Sequence, residues 1–226
     1  AIYTESCNFA RTTRIDPTMQ YDPYKREIKE RVMKIASEMF FSHGIRQVRM
    51  DDIAHNLGIS KRTLYEIYDN KEQLLLDVVK YNNEEHVKEM SEFSRKGSNA
   101  VEILAEFYRL QMKRVSGINP AFFEELHGYD KVLNYLNNEK EKNTKEQRKF
   151  IDKAISEGYF IANVNYDIIE MMLSCIKDNV VTANTLKRYS LTTLFRTIII
   201  VFLRGICTQK GIAQLDTLMK IIDTKA

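Results

Sequence analysis

Residues 44–73 read GIRQVRMDDIAHNLGISKRTLYEIYDNKEQ, the most informative stretch of the chain. Its apolar spacing predicts two short helices, 51–57 and 61–68, joined by a tight turn that contains Gly58. Two such helices, packed at a steep angle through small apolar contacts, form a helix-turn-helix. The second helix begins with four polar residues, Ser60, Lys61, Arg62 and Thr63. A helix end of this kind can enter the major groove of DNA and read base edges.

A helix pair with a glycine turn also occurs as a purely structural element, but the wider pattern here is more specific. Residues 24–80 resemble the DNA-binding part of the TetR-type (TetR/AcrR) family of transcriptional regulators. The matching positions are Ala36, Phe40, Gly44 and residues 50–54, 57–65 and 70–72. The resemblance implies an all-α homodimer with a three-helix DNA-binding head. It also implies a larger helical body that binds a ligand and dimerises through its last two long helices.

The resemblance also assigns residues to the DNA. Carried over by position, the residues that would face DNA are Ser60, Lys61, Arg62, Thr63 and Tyr65. Lys71, at the start of the fourth helix, would contact a phosphate. Position 49 is often Thr or Ser in this family, where it caps the second helix, whereas this chain has Arg49. Arg49 is therefore either an additional phosphate contact or a solvated side chain. Tyr68 is expected in the core and His55 in solvent.

The composition favours an all-α protein. Only eight Gly and three Pro occur in 226 residues, fewer than a β-rich chain needs for its turns. The three Cys are odd in number and far apart, which excludes a disulfide scaffold, and Cys175 and Cys207 are expected as small core residues. The longest apolar run, 197–203, is much shorter than the ~20 residues of a bilayer span. We expect a cytoplasmic protein without a membrane partner.

Helical periodicity and capping residues divide the chain into about nine to ten helices. Asn70, Asn99, Asn165 and Ser190 are predicted caps, and a terminal amphipathic helix is expected over 212–222. The predicted domains are a flexible segment 1–20, a DNA-binding domain 21–70 and a ligand-binding and dimerisation domain 71–226. Met19 is a candidate native start, which would make residues 1–18 non-native; the alternative is a natural flexible arm.

The last two long helices are apolar on nearly every side, which indicates contacts all round. A deeply buried helix pair in a monomer would explain this pattern, and so would a partner surface; the resemblance favours the homodimer. The predicted interface residues are Met171, Ile176, Phe195, Ile199 and Phe202.

Aromatic and Met side chains in the middle of the chain serve either as core or as the lining of an apolar pocket. The candidate lining residues are Tyr108, Met112, Phe122, Phe123, Met172 and Cys175. The implied ligand is mostly apolar, and Glu124, Glu125 or Glu170 could meet a cationic part of it, although acidic residues on helices are usually solvated.

The sequence does not predict an enzyme. It has no Gly-rich phosphate loop, no metal-ligand spacing and no nucleophile elbow, so no catalytic residue, cofactor or metal is assigned. The predicted function is a repressor that leaves a palindromic operator when a small molecule binds its body. Two alternatives are a helical ligand-binding or adaptor protein and a ligand-independent, nucleoid-type DNA binder.

Overall fold

The computed structural model describes residues 23–94, 97–180 and 182–225, and these residues form eleven helices. The helices are α1 (Pro23–His43), α2 (Met50–Leu57), α3 (Lys61–Ile67), α4 (Lys71–Ser94), α5 (Ala100–Ser116), α6 (Ala121–Leu126), α7 (Asp130–Ser156), α8 (Tyr166–Val180), α9 (Ala183–Leu186), α10 (Leu191–Ile206) and α11 (Gln209–Lys225). The predicted all-α fold is confirmed. Residues 1–20, with the prediction about Met19, lie outside the described residues.

The predicted caps define several helix boundaries. The Asn70 side chain accepts a hydrogen bond from the Gln73 N–H at 2.9 Å. Asn99 caps α5, and the Glu102 carboxylate accepts from the Asn99 N–H in return at 2.9 Å. Ser190 caps α10 in the same way, three residues ahead of the amide that it binds. Each cap satisfies amides that the first turn of a helix leaves unpaired, so these starts could be predicted locally.

Two features near the C-terminus differ from the prediction. The short helix α9 was not expected. Helix α11 begins at Gln209, three residues before the predicted 212, because Thr208 caps it: the Thr208 hydroxyl accepts from the Gly211 N–H at 3.2 Å. Gly211 therefore lies inside the helix instead of preceding it.

The described chain forms two compact units. The head unit contains residues 23–86 together with Ile118–Leu136, and the body unit contains Val87–Gly117 with the described residues from Asn137 onward. The predicted functional division near residue 70 stays a prediction. Among the described helices, none combines the length and the apolar character that a membrane crossing requires.

The core of the head unit is built on α1. Its buried residues Ile28, Val32, Ala36 and Phe40 recur every four positions and form the stripe that the sequence predicted. The stripe faces α2, and the end of α1 also contacts α6, where the Phe41 and Phe122 rings meet edge to face with centroids 4.9 Å apart.

The core of the body unit combines residues from α5, α7, α10 and α11 with the first residue of α8 and two residues between helices. The buried members are Ala100, Val101, Leu104, Ala154, Phe160, Tyr166, Leu203, Cys207 and Leu215. Burial raises the pKa of the Cys207 thiol to about 11, against the opposing effect of Arg204. Cys175 was expected in the core as well, but it is exposed, because its side of α8 does not face this cluster.

Candidate nucleic-acid interface and ligand cavity

The turn between α2 and α3 is short and fully hydrogen-bonded. Gly58 ends α2 with a left-handed φ of 67°, and the Ile59 N–H returns to the Ala54 carbonyl at 3.0 Å. Ser60 then begins α3, because its hydroxyl accepts from the Thr63 N–H at 3.0 Å. The chain thus reverses between two capped helices, which is the helix-turn-helix that the sequence predicted.

Helix α3 is anchored by one face and presents the other. Leu64 is fully buried and Tyr68, just after the helix, is 1% exposed, as expected for a core aromatic. Lys61 and Arg62 are exposed, and Tyr65 has 48% of its surface exposed. Ser60 is exposed as well, so four of the five residues predicted to face DNA on this segment lie on the surface, and Thr63 is half-buried. His55 is exposed, as expected.

The two cations of α3 are held in exposed ion pairs. The Lys61 ammonium contacts the Asp51 carboxylate, and the Arg62 Nε donates to Glu66 Oε1 at 3.0 Å. Exposed pairs of this kind contribute about 0–1 kcal/mol, so phosphates can replace the carboxylates at little cost. Asp51 and Glu66 were not predicted as partners of these cations, although Glu66 stands four residues after Arg62 on the same helix.

Arg49 precedes α2 but its side chain makes no capping hydrogen bond, since a guanidinium has no acceptor. The cap comes from Asp52, whose carboxylate accepts from the Arg49 N–H at 2.9 Å. The Arg49 side chain is exposed, and its contact with DNA stays a prediction.

Lys71 has a different environment from the other predicted DNA residues. Its ammonium donates to the Ile45 carbonyl at 2.7 Å and to the Val48 carbonyl at 2.9 Å. Partial burial lowers the pKa of Lys71, and the nearby charge of Glu125 opposes that shift. The predicted phosphate contact stays a prediction. In this structure the ammonium is hydrogen-bonded to two main-chain carbonyls.

Ser60 offers a test that separates folding from DNA binding. Ser60→Ala removes the cap of α3 and should lower the free energy of unfolding by about 1 kcal/mol. Ser60→Asp keeps an acceptor for the Thr63 N–H, so the melting temperature should stay near that of the parent. The added negative charge should nevertheless weaken DNA binding. Thermal unfolding and fluorescence anisotropy on duplex DNA measure the two effects; equal DNA affinity in Ser60→Asp and the parent would remove this helix end from the interface.

A cavity of about 170 Å³ lies within the body unit. Its lining residues are Ile103, Leu104, Phe107, Gln147, Phe150, Ile151, Phe160, Tyr166, Ile169, Glu170, Leu173 and Ile206. The rings of Phe160 and Tyr166 are stacked 6.1 Å apart, and the Tyr166 hydroxyl donates to the Ile161 carbonyl at 2.7 Å. Aromatic walls are thus held in place around a space that is nearly all apolar.

None of the six residues predicted for the pocket lines this cavity. Tyr108, Phe122 and Phe123 are buried core residues, the last two in the head unit, and Met112 is half-buried. Met172 and Cys175 are exposed. Glu170, considered in the sequence analysis, does line the cavity, with its carboxylate 3.8 Å from the Lys140 ammonium.

The residues predicted for the dimer interface divide into three groups. Phe195 is only 4% exposed, and Ile199 packs against the core of the body unit. Ile176 and Phe202 are half-buried, while Met171 is 59% exposed. The same two long helices, α8 and α10, expose other large apolar side chains, namely Ile168, Met172 and Val201.

Comparison with known proteins finds a family model that matches part of the head unit and solved structures of similar fold. Residues 32–78 match the family model described as bacterial regulatory proteins, tetR family. A search of curated proteins finds no match.

Three solved structures are similar over most of the chain. A candidate transcriptional regulator from Saccharomonospora viridis, in complex with choline, is 19% identical with a TM-score of 0.65, covering 81% of this chain and 100% of that one. A TetR-family regulator from Agrobacterium tumefaciens is 12% identical, TM-score 0.65, covering 81% and 100%. The regulator FadR from Bacillus subtilis, in complex with stearoyl-CoA, is 18% identical, TM-score 0.57, covering 78% and 98%. At these identities the likeness is one of fold.

Proposed function

We propose that this chain is a DNA-binding transcriptional regulator of the tetR family, a homodimeric repressor that leaves a palindromic operator when a small, mostly apolar molecule binds its body unit. The observation that carries the DNA-binding part is the capped helix α3, which exposes Lys61, Arg62 and Tyr65. Since its target is chromosomal DNA, it would act in the cytoplasm. No catalytic step is part of the proposal.

Selection from a random-sequence pool of duplex DNA tests the DNA-binding part. We expect a palindromic site whose half-sites are about one helical turn, roughly 34–36 Å, apart, or a wider version of that spacing. In Arg62→Ala, discrimination against the wrong base should fall by about 1–3 kcal/mol for each base contact that is lost, so the selected site should be less well defined. Binding of all duplexes alike, with strong salt dependence, would indicate a nucleoid-type binder. No binding to any duplex would indicate a ligand-binding adaptor.

The cavity of the body unit is the proposed effector site. Two proteins of similar fold are described in complexes with choline and with stearoyl-CoA. An engineered apolar cavity of about 150 Å³ binds benzene, so a space of about 170 Å³ suits a group of benzene to indole size. Gln147 and Glu170 are the polar members of the lining and could meet a polar end of the molecule.

The switch follows from differential affinity. A ligand shifts the protein away from its DNA-binding conformation only as far as it prefers the other conformation. Couplings of about 1–3 kcal/mol are typical. We propose that the effector favours a dimer whose two heads have a different separation, so that both recognition helices no longer fit the two half-sites.

Filling the cavity should produce a regulator that no longer responds to a ligand. Leu173→Trp adds a ring to the lining, while Asn163→Trp adds the same ring at an exposed position of the body unit that does not line the cavity. With indole as the probe, the parent and Asn163→Trp should melt a few degrees higher and Leu173→Trp should not. All three proteins should bind the selected DNA. An equal shift in Leu173→Trp would move the site elsewhere.

A second copy of the chain is the proposed occupant of the exposed apolar side chains on α8 and α10. Met171 and Val201 are 59% and 63% exposed, and the neighbouring Ile168 and Met172 are each half exposed. Apolar surface beyond single scattered side chains marks an interaction site, and α8 exposes three large apolar side chains within residues 168–172. A palindromic operator also needs two heads related by a two-fold axis.

A further inference from the structure

Residues 44–49 form the loop that leads from α1 into α2, and two side chains of opposite charge bind its main chain. The Lys71 ammonium on α4 donates hydrogen bonds to the Ile45 and Val48 carbonyls at 2.7 and 2.9 Å. The Glu125 carboxylate on α6 accepts from the Arg46 N–H at 2.7 Å. We call Lys71 and Glu125 the loop clamp. Three main-chain polar groups within four residues are thus fixed by side chains that come from other helices.

Helix α6 lies directly against this loop and the end of α1. A Cβ placed on Gly44 would be 3.1 Å from Glu125 Oε2 and 3.2 Å from the Ala121 Cβ, so the backbone and the helix are in close contact. The Asn119 N–H, just before α6, donates to the Phe41 carbonyl at 2.6 Å. Helix α6, which carries Glu125, therefore lies close to the 44–49 loop, and its start is hydrogen-bonded to the end of α1.

The loop leads directly into α2 and is anchored in the head core. Its Ile45 and Val48 side chains are buried in the head core, at 0% and 2% exposure. Helix α2 follows at Met50 and packs on α3. A displacement of the loop would move α2 and, with it, the α3 surface that faces DNA. A shift of the α3 surface would change which of its side chains reach base edges and phosphates.

We propose that Lys71 and Glu125 are positioning residues for DNA binding, which hold the 44–49 loop so that α2 and α3 present the recognition surface correctly. Lys71 would then act through main-chain carbonyls and not through a phosphate. This inference rests on the proposed DNA binding of the head unit. The charge of Glu125 supports the cationic form of Lys71, in keeping with a clamp whose members assist each other.

The two roles of Lys71 predict different salt dependence. In Lys71→Met, a positioning role should weaken binding to the selected DNA about tenfold, the equivalent of one charge-assisted hydrogen bond, with the salt slope of the parent. A phosphate contact would instead reduce the slope by about 0.9. Anisotropy titrations at four salt concentrations separate the two, and a reduced slope would overturn the proposal.

Glu125 gives a test of opposite sign. Removing an acidic residue from a DNA-binding head ordinarily strengthens binding, but Glu125→Ala should weaken it about tenfold because the Arg46 N–H loses its acceptor. Glu125→Gln keeps an oxygen acceptor and should lie between the parent and Glu125→Ala. Glu124→Gln is the matched control, since it removes the same charge from the neighbouring exposed residue and should bind at least as well as the parent. Binding by Glu125→Ala that is as tight as that of Glu124→Gln would overturn the proposal.

Amide hydrogen exchange on the DNA-free protein provides a second measurement. The amides of residues 44–49 should exchange faster in Lys71→Met and in Glu125→Ala than in the parent. The double variant with both substitutions should bind DNA little worse than either single variant, because both residues act through one loop. Faster exchange with unchanged DNA affinity would overturn the positioning role while leaving the proposed function intact. A parent protein that binds no duplex would overturn both.

Discussion

Replacing Gly211 with alanine should lower the stability of the body unit more than the same substitution at any other glycine of that unit. A Cβ at this position would overlap the Tyr159 carbonyl oxygen and lie 3.1 Å from the Cys207 Cβ. The oxygen cannot move away cheaply, because it accepts the Thr208 N–H at 2.8 Å. Overpacking of this kind costs typically about 1–3 kcal/mol, and the backbone contact places Gly211→Ala at or above the upper end.

Gly205→Ala is the matched control for this substitution. Gly205 lies in α10, is exposed, and has no heavy atom within 4 Å of a built Cβ. The same methyl group should therefore stabilise the helix by about 0.5–1 kcal/mol. Thermal unfolding should give shifts of opposite sign, a decrease of several degrees for Gly211→Ala and a small increase for Gly205→Ala. A Gly211→Ala protein that melts with the parent would show that α11 does not approach Tyr159 this closely.

Local features of the fold could be predicted from the sequence because their partners are close in the chain. The Asn70, Asn99 and Ser190 caps bind amides two or three residues away. The apolar stripe of α1 needs only the helical period. The helix-turn-helix combines both signals, since Gly58 and Ser60 form its turn. These interactions are nearly independent of the rest of the molecule.

Features that depend on distant partners were not predictable in this way. Lys71 binds carbonyls 26 and 23 residues away, and Glu125 binds an amide 79 residues away. A lysine at a helix start and a glutamate in a short helix look like surface residues in the sequence. The lining of the observed cavity was not predictable for a related reason: aromatic residues fill cores and line pockets alike, and the space arises only from the packing of α5, α7 and α8.

The interface residues show a related limit. The exposed polar residues of α10, Thr193, Arg196, Thr197 and Arg204, recur at helical spacing and mark its outer side, a signal that the interface prediction did not use. Phe195 and Ile199 face the core, whereas Val201 is 63% exposed. Of the five residues predicted for the interface, Met171 is the exposed one. The dimer contact itself stays a prediction, and the structure supplies better residues with which to test it.

Met171→Asp combined with Val201→Asp should yield a folded monomer that has lost most of its affinity for the palindromic DNA. Both side chains are exposed in the single chain, so charges there should leave the melting temperature of the monomer nearly unchanged. Between two copies the same carboxylates would be buried without partners, which costs about 3–5 kcal/mol when a charge is left uncompensated. Sedimentation velocity should show one chain per particle where the parent shows two.

The DNA readout then follows from the number of heads. A monomer contacts one half-site, and a second chain must bind the other half-site without the help of the interface. Affinity for the palindrome should therefore fall by more than about 100-fold. Affinity for an isolated half-site should equal that of the parent. Phe195→Asp is the contrasting variant, because a charge at a residue only 4% exposed should unfold the body unit. If the double variant remains dimeric in sedimentation, α8 and α10 are not the interface, and the exposed apolar side chains on these two helices must be covered by something other than a second copy of the chain.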